Sequence, residues 1–199
     1  MSAAQGVSRL CFVEAARAAF DVLLDAPYGF EVVSEGGTQV RYESDVVVVV
    51  VFHDRLSYEL DVEVSRLSGR DEVERPYSLQ DLMCVTDPEA ARSFKRFAAT
   101  TSDAVGRGTA LLAEQVRNYG DPALLGSSEF YDLLPSARAG AVRAFGEDQV
   151  NRAAKKKADE AWAVKDYPGV VSAYAKALTL STVDRRRLRI AERHLDDEG

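Results

Sequence analysis

Three carboxylates alternate along one short stretch, Glu59-Leu-Asp61-Val-Glu63. In an extended strand, successive side chains point to opposite faces, so all three acids project to one side. Such a row can ligate Mg²⁺ or Ca²⁺, or serve as a general acid/base set. A hairpin nuclease site built from Asp and Glu-x-Lys needs a lysine beside those acids, and no lysine occurs before Lys95. The competing reading is a solvated polar strand face that guards a sheet edge.

The other reactive groups are few. His53 ends a run of valines beside Asp54 and Arg55, and His194 falls in the last turn of the final helix. A turn residue and a partner for the helix dipole account for them. There is no Gly-x-Ser-x-Gly elbow to supply a nucleophile for His53. Neither a Gly-x-Gly-x-x-Gly fingerprint nor a P-loop is present, since Gly106-Arg-Gly108 continues as Thr-Ala-Leu. Cys11, within the expected first helix, and Cys84, after Leu82-Met83, read as core thiols. No catalytic residue, metal ligand or cofactor is expected.

The elements that would carry these residues follow from pattern. A helix is expected from Ser8 to Leu24, with Ser8 as N-cap and Leu10, Val13, Ala16, Phe20 and Leu24 at helical spacing. Asp25-Ala-Pro27-Tyr-Gly29 stops it. Four antiparallel strands follow, Phe30–Glu35, Thr38–Ser44, Val46–His53 and Ser57–Val64, the first two joined across Gly36-Gly37. From Tyr77 onward the pattern is helical. Ser78-Leu-Gln-Asp81 reads as a capping box, and Asp87-Pro88-Glu89 as an N-cap before a first-turn proline. Asn118-Tyr-Gly120-Asp-Pro122 is expected to separate two helices, and Pro135, Gly140 and Gly146 to punctuate further short ones. The class is α+β: an N-terminal helix plus a four-stranded antiparallel meander, then an all-helical C-terminal half. The expected division is a sheet module at 1–75 and a helical region at 76–199, ending in a helical hairpin at 150–195.

Composition narrows the function. The 199 residues carry 32 acids against 25 bases, a formal net charge of -7. An acidic chain cannot release phosphate counterions over a broad surface, so no nucleic-acid partner is expected. Two cysteines exclude a disulfide-built scaffold. The longest apolar run, Val46–Phe52, is seven residues, against the roughly 20 needed to span a bilayer. A cytoplasmic location and no membrane association are the expectation. The acidity is uneven: residues 1–100 hold 17 acids and 10 bases, while 101–199 hold 15 of each.

Pairing Val51 with Glu59 and Val47 with Tyr42 assigns two sheet faces. One carries Phe30, Val32, Val46, Val48, Val50, Phe52, Tyr58, Leu60, Val62 and Val64, a core for the N-terminal helix to cover. The other carries Val33, Val40, Tyr42, Val47, Val49 and Val51, bordered by Glu59, Asp61 and Glu63. That second face is too apolar to stay wet. Either the helical half covers it, or another protein or a second copy of the chain does. In the latter case Tyr42, Val49, Glu59, Asp61 and Glu63 are the partner-binding residues.

Near the C-terminus, Lys165-Asp166-Tyr167-Pro-Gly-Val170-Val171-Ser-Ala-Tyr174-Ala-Lys-Ala177-Leu178-Thr-Leu180 resembles the second helix of a tetratricopeptide repeat. Ala158 stands where that family keeps a small residue, and Trp162 supplies the bulky aromatic. Val150, Ala154, Ala158 and Ala161 would pack against Val170, Tyr174, Ala177 and Leu178. Pro168-Gly169 and Val170 depart from the family pattern. No second copy recurs at a period of about 34 residues, so the resemblance implies one protein-binding hairpin. Arg185, Arg189 and Arg193 stack on one face of the last helix, expected to pair with Asp184 and Glu192. The whole arrangement also resembles bacterial immunity-type proteins, which are small, acidic and cofactor-free. That resemblance implies a protein that neutralises a basic partner through its acidic sheet region. A divalent-metal-dependent hydrolase or nuclease using strand 59–63 is one alternative, and a helical adaptor or homodimeric scaffold is another.

Overall fold

The structure, a computed structural model, describes residues 11–68 and 72–197; the expected N-cap Ser8 lies outside them. The first helix, α1, runs Phe12–Phe20, and its buried residues Phe12, Ala16 and Phe20 recur every four positions. Cys11 precedes it with φ 51° and is exposed, so it is not the core thiol expected. A short 3₁₀ turn, Asp21–Leu23, leads into the sheet.

Six antiparallel strands follow: β1 Glu31–Gly36, β2 Gln39–Glu43, β3 Val47–His53, β4 Glu59–Arg66, β5 Tyr77–Ser78 and β6 Phe97–Ala98. The first four form the expected meander, and β5 and β6 both pair with β4. These two-residue strands lie within the region expected to be wholly helical. They are too short to show any alternation.

Register decides which residues meet. Val51 lies opposite Val62, not Glu59, and Tyr42 opposite Val49, not Val47. The β3–β4 turn is longer than expected. The Asp54 carboxylate accepts from Leu56 N and Ser57 N, both at 2.7 Å, and Tyr58 takes φ 57°. The resulting offset of three residues is odd, and an odd offset exchanges the faces of β4. Leu60, Val62 and Val64 therefore join Val40, Tyr42, Val47, Val49 and Val51 on one inner face, all fully buried. The expected second face is thus the core of the sheet, and α1 covers it, with Tyr42 Oη donating to Ala16 O at 3.3 Å. Val33 escapes burial because β1 shifts register between Val32 and Ser34.

Helix α2 (Leu79–Thr86) opens on the expected capping box between Ser78 and Asp81. Helix α3 (Pro88–Ser93) opens on Asp87, whose carboxylate accepts from Glu89 N and Ala90 N. Helix α4 runs unbroken from Ser102 to Leu124, with Pro122 inside its last turn, so Gly120-Asp-Pro122 does not divide two helices. Pro122 lacks the N–H that would bond the Asn118 carbonyl, and the helix runs only two residues beyond it. Helix α5 spans Ser128–Ala163 through Pro135, Gly140 and Gly146, which were expected to break it. Pro135 is the eighth residue of α5, past the four N–H groups that a helix start leaves free, so the helix forgoes one bond, to the Tyr131 carbonyl, and continues.

The chain forms two compact units, Met1–Arg138 and Ala139–Gly199, not units divided at residue 75. The sheet and the helices up to residue 134 share one core, in which Leu82, Val105, Leu112, Val116 and Leu134 join the inner-face valines. The first unit holds 22 acids and 13 bases, the second 10 acids and 12 bases.

In the second unit, α5 packs with α6 (Tyr167–Tyr174) and α7 (Thr182–Asp197) around Ala158, Val170, Ala173, Tyr174 and Ala191. Ala154 and Ala158 are buried as tight packing requires, but Val150 is exposed and α6 ends before Ala177 and Leu178. Asn151 holds that following segment instead, accepting from Leu178 N at 2.8 Å and Thr179 N at 3.1 Å. Asp184 is buried and accepts from Tyr174 Oη at 3.0 Å and from Ser181, so it is not a partner for the exposed Arg185, Arg189 and Arg193.

Gly108 permits the closest packing in the first unit. A Cβ there would stand 2.5 Å from Leu60 Cδ1 and 2.5 Å from Phe97 Cδ1, whereas one at Gly106 would meet nothing within 4 Å. Gly108→Ala is therefore expected to destabilise by about 1–3 kcal/mol through overpacking, despite alanine's better helix propensity. Gly106→Ala is expected to stabilise by up to about 1 kcal/mol. Chemical denaturation of the two variants measures the opposite signs.

Candidate functional site

The outer face of the sheet carries the three carboxylates of β4. In register, Val48 lies between Glu43 and Ser65, Val50 between Arg41 and Glu63, and Phe52 between Gln39 and Asp61. Glu59, Asp61 and Glu63 do share a face, as alternation requires, but it is this one. Helices α1, α2 and α4 pack on the inner face, where the buried core cluster lies. Val50, Phe52, Glu43, Glu59 and Glu63 remain half-exposed.

The five expected partner-binding residues therefore separate. Tyr42 and Val49 are each 0% exposed on the inner face and offer nothing to a partner. Burial pushes the Tyr42 phenol up to about 12. Glu59 and Glu63 lie on the outer face and are accessible. Asp61 is on that face but is buried.

Asp61 has a structural occupation. Strand β6 pairs with Glu59 and Leu60, and β5 with Glu63 and Val64, so Asp61 and Val62 lie in the gap between them. Asp61 Oδ1 accepts from Val62 N at 2.8 Å. Its Oδ2 stands 3.1 Å from Arg96 Nε, and Arg96 Nη1 reaches Glu59 Oε2 at 3.4 Å. The carboxylate thus satisfies a strand N–H that neither short strand covers. Burial raises its pKa, against the opposing pull of Val62 N–H and Arg96, while Glu63 and Glu59 push it further up.

Arg96 was not foreseen as part of the site. It follows α3 and reaches β4 only through the two-residue strand β6, which leaves no periodic signal in the sequence. The ion pair between Arg41 and Glu43, 3.0 Å, joins residues two apart on β2, which alternation places on one face. Among the described residues, no group of three or more His, Cys, Asp or Glu side chains is placed to hold a metal ion. The acidic row has its central member engaged by Arg96 and the backbone, leaving no convergent set of free oxygens for the metal-ligating or acid/base roles.

A concavity in the same unit, about 620 Å³, is lined by Tyr28, Glu31, Val33, Glu43, Asp45, Val46, Leu124 and Leu125 among others. Glu31 and Glu43 are cross-strand partners there, an unfavourable like-charge juxtaposition. Tyr28 closes one wall by donating to Asp121, and burial raises its phenol to about 12.

His53 is buried, with Nε2 2.9 Å from Ala99 O and 3.2 Å from Tyr58 O. Two carbonyl acceptors require Nε2 to carry the proton. Its Nδ1 has no hydrogen-bond partner among the described residues. The ring ties the end of β3 to the chain around β6, beside Phe12. His194 instead stacks on Tyr167, with ring centroids 4.2 Å apart. Cys84 is half-buried, and burial raises its thiol pKa.

Comparison with known proteins returns no matching family model, no matching curated protein and no matching solved structure. No described helix is long and apolar enough to cross a membrane.

The raised Asp61 pKa sets the sign of a pH effect. The ionised form is penalised in the folded state, fully so above the folded pKa, and the penalty fades as pH falls through that value toward the unfolded one. Asp61→Asn, which retains an acceptor for Val62 N–H, is expected to be more stable than the parent at neutral pH. That advantage should shrink on acidification into the carboxylate range. Denaturant midpoints measured for both proteins across that range give the comparison. Removal of Arg96 as Arg96→Ala should lower neutral-pH stability.

Proposed function

We propose that this chain is a non-enzymatic, cytosolic protein-binding protein that receives a basic partner on the outer face of its sheet. The observation that supports this reading is the combination on one face: half-exposed Val50 and Phe52 bordered by Glu43, Glu59 and Glu63. An interface needs an apolar centre that gains from losing water and a polar rim that fixes partner and orientation. Carboxylates on both neighbouring strands supply that rim and favour Lys- and Arg-rich surfaces. Arg96, bound to Glu59 and Asp61, holds one end of the row in place.

An immunity or antitoxin role is the concrete form of this proposal, in which the acidic face occludes a basic protein. The acidic excess of residues 1–138 agrees with it. Asp61 enters this reading as a positioning residue for Arg96, and Tyr42 and Val49 are no longer part of it. The C-terminal hairpin, with its tetratricopeptide-like order of small and aromatic residues, supplies a second protein-binding element in the same proposal.

The test is charge reversal on the outer face. Immobilised parent protein is expected to retain basic proteins from a lysate of the source cells at low salt and release them as ionic strength rises, since exposed charges are screened beyond about 10 Å at 0.1 M. Glu59→Lys/Glu63→Lys should lose those same proteins while keeping the parent's unfolding free energy to within about 1 kcal/mol, the scale of the exposed Glu59–Arg96 pair that the change removes. Equal retention by the parent and the reversed variant overturns the reading. Calorimetric titration with Mg²⁺ or Ca²⁺ addresses the hydrolase alternative, for which saturable binding would be required.

A further inference from the structure

In the second unit, helix α5 carries an apolar face that no other described residue of that unit covers. Val142 and Val150 are 67% and 43% exposed, and a Cβ at Gly146 would meet nothing within 4 Å. Ala139 and Ala153 are exposed as well. On a helical wheel with 100° per residue, Ala139, Val142, Gly146, Val150 and Ala153 fall within about 40° of one line. The packing side of the helix in the second unit, marked by the buried Ala154 and Ala158, lies away from that line.

The order of residues along this seam reads the same in both directions. Alanine, valine, glycine, valine and alanine stand at offsets of -7, -4, 0, +4 and +7 from Gly146. A seam of that kind is complementary to itself when reversed. We propose that two copies of this chain associate through α5, antiparallel, about a two-fold axis at Gly146.

The arrangement places Ala139 level with Ala153 and Val142 level with Val150 of the other copy, and sets the two Gly146 residues against each other. Glycine at the crossing lets the helix axes approach to the low end of the usual range, about 8 Å. Charge agrees with the same orientation. Asp148 and Arg152 pair within the helix, while Arg143 and Glu147 have no ion-pair partner among the described residues. Both lie to one side of the seam, and the two-fold brings Arg143 of each copy beside Glu147 of the other. A parallel pairing would put Arg143 of one copy and Glu147 of the other on opposite flanks of the seam, out of each other's reach. The seam spans about 21 Å of helix, so the contact is small and the dimer is a concentration-dependent one.

This inference is independent of the outer-face proposal, because it uses none of that surface. Sedimentation equilibrium of the full chain is expected to show reversible dimerisation. Val142→Glu/Val150→Glu buries four like charges per dimer and should weaken it at least about tenfold. Gly146→Gln should weaken it too, while raising monomer stability through better helix propensity, which separates lost association from lost folding. Gly140→Gln, off the seam, should leave the dimer unchanged. Orientation is read with Cys11→Ser/Cys84→Ser as background: Gly146→Cys should cross-link to itself under mild oxidation and Ala139→Cys should not, whereas a parallel pair would cross-link at both. A chain that stays monomeric at high micromolar concentration overturns the proposal. So does a dimer indifferent to the Val142 and Val150 substitutions, or one that cross-links at Ala139.

Discussion

Where α4 crosses β4 there is room for a hydrogen atom and no more. At Gly108 the helix backbone rests directly on Leu60 and Phe97. That approach lets a single helix reach the valines of β3 and β4 and seal them from water. Leu60 and Phe97 are themselves register partners, so the same contact fixes β6 to the edge of β4. With β6 in place, Arg96 is delivered to Asp61 and His53 reaches the Ala99 carbonyl. The inner core and the outer acidic face are thus joined through one narrow point of packing.

A second anchor works at the other end of β4. Arg138 holds the Asp81 carboxylate through Nε at 3.0 Å and Nη2 at 2.6 Å, and lies over the Tyr77 ring. Burial alone would raise the Asp81 pKa, but Arg138 and the Ser78 capping bonds outweigh it and hold it low. A paired, hydrogen-bonded carboxylate in this position ties the capping box of α2 to the first part of α5. Stability from that source is present above the unfolded pKa and is lost as acid protonates the group.

The meander, the α2 and α3 caps and the α+β class were legible because each rests on local chemistry: β-branched runs, a serine three residues before an aspartate, a proline after a cap. The faces were not. They depended on the length of one turn, and the Asp54 turn extends to Tyr58 where a shorter link was expected. Glycine and proline misled in the long helices for a related reason. Their propensity cost is local, whereas Gly108 and Gly120 are required by what packs across from them, Leu60 and Leu82. For the candidate site, alternation placed Glu59, Asp61 and Glu63 together. It could not show that Asp61 would be occupied by a strand N–H and an arginine arriving from 35 residues away.

The long helix α5 also divides the chain's backbone amides into two kinds. Strand β3 has a strand on either side and its inner-face side chains are buried, so its amides open to solvent only when the first unit unfolds. Residues 142–150 are helical too, but every one of them is exposed. Helix continues on both sides of this stretch, so its amides are held by the backbone ladder of α5 and not by packing of their own side chains. Hydrogen exchange there is governed by local opening, well below the cost of unfolding the first unit.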